Sequence, residues 1–190
     1  MLGAMSDVPA VPAKLIFIIR HAEKPVGKAK GVEINGDRSE DSLIPRGWQR
    51  AGALARLFDP FDSPPRRGLA KPEQLIAPLY PAGNANHRTH ETLAPLSELL
   101  ERSVEKPFKE GQEKELGRYM SSDAKAPVVL IAWEHHLIPD IAKNIKPLKN
   151  EVPDKWPEDR FDLVWSFALS GSPGAYVFTS ISQMLLHGDK

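Results

Sequence analysis

Two apolar runs of similar length constrain this chain more than any other feature. In "KLIFIIRHAEKP", residues 15–19 are uniformly apolar and end abruptly in Arg20 and His21. In "PVVLIAWEHH", residues 128–133 repeat the pattern and end in Glu134, His135 and His136. Neither run alternates polar with apolar, so each suits a strand covered on both faces, as in a parallel sheet. A buried strand needs no cation or imidazole at its tip. In open α/β sheets, ligands collect outside the carboxyl ends of the strands. If the two runs are parallel neighbours, Arg20, His21 and His135 converge on one crevice.

The remaining chain supplies helices between strands. Residues 26–42 are polar and read as a surface loop. "IPRGWQRAGALARLF" reads as a helix with Pro45 in its first turn and Ala51, Leu54, Ala55 and Phe58 on one face, although Gly47 and Gly52 count against helix formation. "DPFDSPPRRGLAKP" is a loop and "EQLIAPLY" a short strand. After the turn cluster "PAGNAN", "HRTHETLAPLSELLER" reads as a helix facing inward through Thr92, Leu93, Leu96, Leu99 and Leu100, with Pro95 expected to kink or interrupt it. Further helices are expected in "GQEKELGRYMSS" and "IPDIAKNI". "FDLVWSFAL" and "AYVFTSISQMLL" flank the turn cluster "SGSPG", which suggests antiparallel neighbours. The expected fold is an α/β three-layer sandwich, with a mostly parallel central sheet, helices on both faces and an antiparallel addition near the C-terminus.

A length of 190 residues suits one domain. We expect residues 14–190 to form it, behind a disordered or vector-derived segment over residues 1–13. The 25 basic and 25 acidic side chains balance, so no basic footprint for nucleic acid exists and an anion site must be a local pocket. Without cysteine, disulfides, thiolate catalysis and Cys-based metal sites are excluded. No stretch approaches the roughly 20 apolar residues of a membrane span, and no signal peptide is read. A cytoplasmic protein without membrane or nucleic-acid partners is expected; the oligomeric state is not encoded legibly.

Arg88, in "NHRTHET", sits at the start of a helix, where unpaired N–H groups and the dipole favour an anion. Its guanidinium adds forked donors matched to phosphate oxygens. His87 reads as a cap or surface residue. The histidines lack a linear metal-ligand spacing such as H-x-x-x-H, and the arginines would oppose a cation, so no metal and no cofactor is expected.

"RHAEKP" after a strand, "LIPRGWQRA" opening a helix, "HRTHETLAPL" and "VLIAWEHH" occur in an order that resembles the histidine phosphatase (phosphoglycerate mutase-like) superfamily, over about residues 14–146. The resemblance implies that His21 is the nucleophile, that Arg20, Arg88 and His135 line a phosphate pocket, and that no metal is needed. Three departures stand out. Ala22 replaces the usual glycine, which forbids a positive φ there. Glu134 stands where Ser or Gly normally precedes the second histidine, and His136 is an adjacent fallback for His135. Lys24 occupies a position where one branch of the family carries an additional arginine, and is a candidate phosphate contact.

The implied reaction is two-step phosphoryl transfer through a phosphohistidine, with Arg20, Arg88 and, if protonated, His135 neutralising the equatorial oxygens. The proton for the leaving group is assigned to Glu110, in "FKEGQEKEL". Glu113 and Glu115 read as a solvated helix face, while Glu23 and Glu134 are rivals. The expected partner is a small phosphorylated substrate or phosphate ion. Alternatives are a protein phosphohistidine phosphatase and a non-catalytic module that binds phosphate or a sugar phosphate. A mutase is disfavoured, because nothing reads as a lid that would protect a phosphoenzyme from water.

Overall fold

In the computed structural model, strand β1 (Leu15–Arg20) and strand β4 (Val128–Trp133) lie side by side and parallel at the centre of the sheet. The structure describes residues 12–80, 87–171 and 174–190. Between them in the chain come helix α1 (Pro45–Phe58), strand β2 (Gln74–Ile76), helix α2 (Arg88–Leu100), strand β3 (Val104–Glu105) and helix α3 (Glu113–Ser122). Helix α4 (Ile138–Asn144) and strands β5 (Leu163–Ser170) and β6 (Ala175–Ser182) follow. The six strands run in the order β3-β2-β4-β1-β5-β6. The pairs among β1, β2, β3 and β4 are parallel, whereas β5 pairs antiparallel with both β1 and β6.

Alternation along the central strands divides the core into two layers. Ile16, Ile18, Val129, Ile131 and Trp133 face α3 and α4, where Leu116, Met120, Ile138 and Ile141 complete the packing. Phe17, Ile19, Leu130 and Ala132 face α1 and α2, against Leu54, Phe58, Leu93 and Leu96. Each such side chain taken from water contributes about 1.5–3 kcal/mol. Two-sided burial therefore explains the uninterrupted apolar runs, and it brings both strand tips to the same rim.

Several local expectations need correction. Helix α2 runs through Pro95 without interruption. Proline removes one helical hydrogen bond, and the buried Leu93 and Leu96 on either side hold the helix in place. The second strand is only three residues long, and the two-residue β3 on its edge has no periodicity to betray it. Gly47, costly to a helix, is required by contact: a Cβ there would lie 2.5 Å from the backbone oxygen of Glu23. Helix α1 thus packs directly on the chain leaving β1. Ala13, at the boundary of the expected leader, is buried, and its carbonyl accepts a hydrogen bond from the Tyr176 hydroxyl at 2.7 Å. Residues 1–11, the "PAGNAN" cluster at 81–86 and part of "SGSPG" (172 and 173) lie outside the described residues.

Candidate active site

Because Arg20 pairs with Trp133 in register, the residues after each strand emerge together. The His21 N–H donates to the Trp133 carbonyl at 3.3 Å. The His21 and His135 rings meet edge to face with centroids 6.3 Å apart. Both are almost wholly buried, at 1 % and 3 % exposure. His136 is exposed and stacks on His135 with centroids 3.8 Å apart, so His135 is the histidine turned toward His21.

The backbone fixes the chemistry of His21. Its Nδ1 lies 2.7 Å from the Ala22 carbonyl oxygen, which can only accept, so Nδ1 carries the proton and Nε2 is left for other work. Nε2 is buried and makes no hydrogen bond. Ala22 is not among the residues with positive φ, so the missing glycine costs the loop nothing. The Ala22 N–H donates to Thr92 Oγ1 at 2.8 Å, and that hydroxyl donates to the Arg88 carbonyl at 2.6 Å. Helix α2 is thereby pinned to the tip of β1 by its first turn.

Glu134 occupies the space between the two imidazoles. Its Oε2 is 3.2 Å from His21 Nε2 and its Oε1 is 2.5 Å from His135 Nδ1, yet neither ring nitrogen has the alignment of a hydrogen bond. Burial alone would push this carboxyl up; His21, then His135 and Lys24, outweigh it and hold Glu134 at about 2. Lys24 is half-exposed, and no described hydrogen bond or ion pair joins it to either histidine. Burial, reinforced by Arg20, drives His135 down to about 4, so at neutral pH this ring is uncharged. His135 would neutralise an oxyanion only if protonated, and with its pKa so lowered it offers a dipole instead of a charge.

Arg20 is buried beneath the segment before β5. Its Nη1 donates to the Glu158 carbonyl at 2.5 Å, its guanidinium carbon stacks 3.7 Å from the Phe161 ring centroid, and its Nε is without a partner. Phe161 also approaches His21, centroid to centroid 6.1 Å. Burial lowers Arg20 to about 10 against the opposing pull of Glu134 and Glu23. Nothing in the sequence marked Glu158 or Phe161, which reach the site only through the return of the chain into the antiparallel strands.

Arg88 stands at the start of α2 as expected, but its guanidinium is directed to the preceding loop. It donates to the Glu40 carbonyl at 3.2 Å and lies 3.7 Å from Asp41 Oδ1, leaving a buried Nε unpartnered. No described hydrogen bond or ion pair joins it to Arg20, His21 or His135.

The carboxylates separate clearly. Glu110 sits on the exposed turn before α3. Desolvation and then the charge of Glu134 push its carboxyl up, against a hydrogen bond from Tyr80. No described hydrogen bond or ion pair joins it to His21 or His135. Glu113 is not solvated, contrary to its expected surface position. It is buried and accepts from the Trp133 indole N–H at 3.1 Å and the Gly111 N–H at 3.0 Å, which satisfies the large side chain at the end of β4. Glu115 is exposed. Glu23 is turned away from His21 and held by Arg50 and Arg46.

The linear sequence has no metal-ligand spacing, but folding creates a spatial one. The ligand-type atoms of His21, Glu134 and His135 all lie within 4.8 Å of one another. Two strands contribute, so no single motif could reveal it. Among the described residues no helix is long and apolar enough to cross a membrane.

Comparisons with known proteins are distant. No protein-family model and no curated protein matches the chain. Among solved structures, it is similar to the mycobacterial glucosyl-3-phosphoglycerate phosphatase complexed with VO3, at 12% identity over 88% of this chain and 97% of that one, with a TM-score of 0.49. It is also similar to the Entamoeba histolytica phosphoserine phosphatase in complex with 3-phosphoglyceric acid, at 13% identity over 90% of this chain and 99% of that one, with a TM-score of 0.45. At this level of likeness, function has to be argued from the chain's own side chains.

Proposed function

We propose that the chain is a phosphatase of the histidine phosphatase type, hydrolysing a phosphomonoester through a phosphohistidine at His21. The observation that carries this reading is the Nδ1–H to Ala22 carbonyl bond, which leaves a buried, unpartnered Nε2 beside Arg20 and His135. A neutral imidazole held in that tautomer is a nucleophile with its lone pair already aimed. The sequence resemblance assigns the same roles to the same residues.

In the first step Nε2 attacks phosphorus, the N–P bond forms and the bond to the ester oxygen breaks. Arg20 and the His135 ring donate to the equatorial oxygens, and Lys24 contributes charge from the rim. Arg88 joins them by leaving the Glu40 carbonyl and Asp41, contacts near solvent that cost roughly 1 kcal/mol or less to give up. Glu134 swings out from between the rings as the dianion enters. Glu110, whose raised pKa favours the protonated carboxyl, gives its proton to the leaving alkoxide. In the second step Glu110 takes a proton from water, the water oxygen attacks phosphorus, the N–P bond breaks and phosphate leaves. The substrate is a small phosphorylated molecule, and the cytoplasm is its proposed setting.

The test is p-nitrophenyl phosphate hydrolysis with chelator present, together with trapping of an alkali-stable, acid-labile phosphoenzyme. His21→Ala should abolish the trapped species and lower turnover by at least about a thousandfold. Wild-type protein that binds phosphate saturably without turnover would favour the non-catalytic phosphate-binding alternative. Turnover confined to phosphohistidine peptides would favour the protein phosphohistidine phosphatase.

A further inference from the structure

We propose that His21 Nε2, His135 Nδ1 and the Glu134 carboxylate form a binding site for a zinc-class divalent transition metal, and that the metal and the phosphoryl substrate exclude each other. Two independent observations support it. First, the three donors lie within 4.8 Å of one another. Donors around a tetrahedral zinc at roughly 2.0–2.2 Å stand roughly 3.5 Å apart, so closing on a metal asks only for small side-chain rotations. Second, both ring nitrogens are buried without hydrogen-bond partners, although each faces a carboxylate oxygen. Each of these short gaps has to hold either a proton or a metal ion. A divalent metal meets all three donors at once.

The surroundings suit a ligating histidine. A metal-bound imidazole commonly donates its other N–H to a backbone carbonyl or carboxylate, which fixes tautomer and ring orientation. His21 already does so through Nδ1 and Ala22. Two imidazoles and one carboxylate form a donor set that zinc, cobalt and copper accept. Arg20 is the opposing charge, but its guanidinium is drawn toward the Glu158 carbonyl and the Phe161 face. The second cation expected to oppose a metal, Arg88, is engaged with Asp41 and the Glu40 carbonyl. Zinc ligated by Nε2 occupies the lone pair that would attack phosphorus. The inhibitory half of the inference therefore rests on the phosphatase reading, whereas binding of the metal does not.

The experiment uses full-length protein freed of metal by chelator and dialysis. Zn2+ is titrated in competition with a chromophoric chelator, and Co2+ binding is followed by its visible spectrum. One equivalent of Zn2+ should bind. Glu134→Gln and His135→Asn should each weaken it at least tenfold, while His187→Ala, on the exposed tail, leaves it unchanged. Co2+ should give the intense bands of a four- or five-coordinate nitrogen–oxygen site, which a folding defect in a variant could not mimic or remove from the wild type. Inorganic phosphate should raise the apparent Zn2+ dissociation constant in proportion to its concentration, and Zn2+ should inhibit hydrolysis competitively. Absence of stoichiometric binding, or binding indifferent to both Glu134→Gln and His135→Asn, overturns the site. Stoichiometric Zn2+ binding in a protein with no chelator-resistant phosphatase activity sinks the phosphatase reading and leaves the metal site standing. Chelator-resistant activity without Zn2+ binding does the reverse.

Discussion

His21 and Glu23 are two residues apart, yet they enter opposite kinds of charged cluster. Glu23 belongs to a closed network. Arg50 donates to it through Nε and Nη2, to Asp189 through Nη1 and Nη2, and to Gln183 Oε1 at 3.0 Å. Asp189 accepts in addition from the Leu185 and Leu186 N–H groups. The charges are buried and each is answered. On the His21 side, Arg20 Nε, His21 Nε2 and His135 Nδ1 are buried without hydrogen-bond partners among the described residues. A fold able to satisfy one cluster so fully, on the same strand tip, leaves the other unsatisfied for a ligand. The closed network anchors the last residues of the chain to α1; the open one is where we propose that an anion or a metal binds.

The comparison is broken most forcefully at Arg50. Arg50→Met leaves the buried Asp189 carboxylate without a cation and Glu23 with only the partly exposed Arg46, and should cost about 3–5 kcal/mol in urea denaturation. A loss under 1 kcal/mol would mean the network is decorative. Next in size is the acid response of Asp189. Burial would raise this carboxyl, but Arg50 and the two backbone N–H groups hold it well below the usual carboxylate range. Its contribution is present above the unfolded value near 4 and is lost as pH falls toward the folded value. Asp189→Asn should therefore be less stable by about 2 kcal/mol at pH 7 and converge with the wild type on acidification. A pH-independent difference would remove the linkage.

Smaller effects sharpen the open side. Glu110→Gln should slow phosphoenzyme formation from an alkyl phosphate about tenfold or more, yet leave its formation from p-nitrophenyl phosphate nearly unaffected, since that leaving group needs no proton. Equal slowing of this first step for both esters would deny Glu110 its role as the acid. The smallest effect expected is on stability: His21→Ala, removing a side chain whose Nε2 is unsatisfied, should shift the urea midpoint by the equivalent of about 1 kcal/mol or less, in either direction. A large loss there would make His21 a structural residue like Arg50.

Much of this contrast was legible from residues 14–25 and 126–136. Two-sided apolar runs identify central parallel strands because burial on both faces forbids polar alternation, and their polar tips then share a rim. The helices were legible from inward-facing residues such as Leu54, Phe58, Leu93 and Leu96. The two-residue β3 was not, since only pairing with β2 makes it a strand. Glu113 looked solvated because its partner, the Trp133 indole, comes from another element. Arg88 was located on the correct helix end, but the direction of its guanidinium depends on Glu40 and Asp41, which no local pattern connects to it. Glu134 was noticed as a departure; its place between two imidazoles required the register of two strands.

The stacking of Phe161 on Arg20 and the bond from Arg20 to the Glu158 carbonyl carry a kinetic consequence. An imidazole with 1 % of the residue's surface in contact with water, as His21 has, cannot be reached by simple collision. Glu134, 3.2 Å from Nε2, or the segment that carries Phe161 has to yield first, and that unimolecular event sets a ceiling on capture. Observed rates of vanadate binding should thus climb with concentration and then level off, and substitution of Phe161 by alanine should lift the plateau.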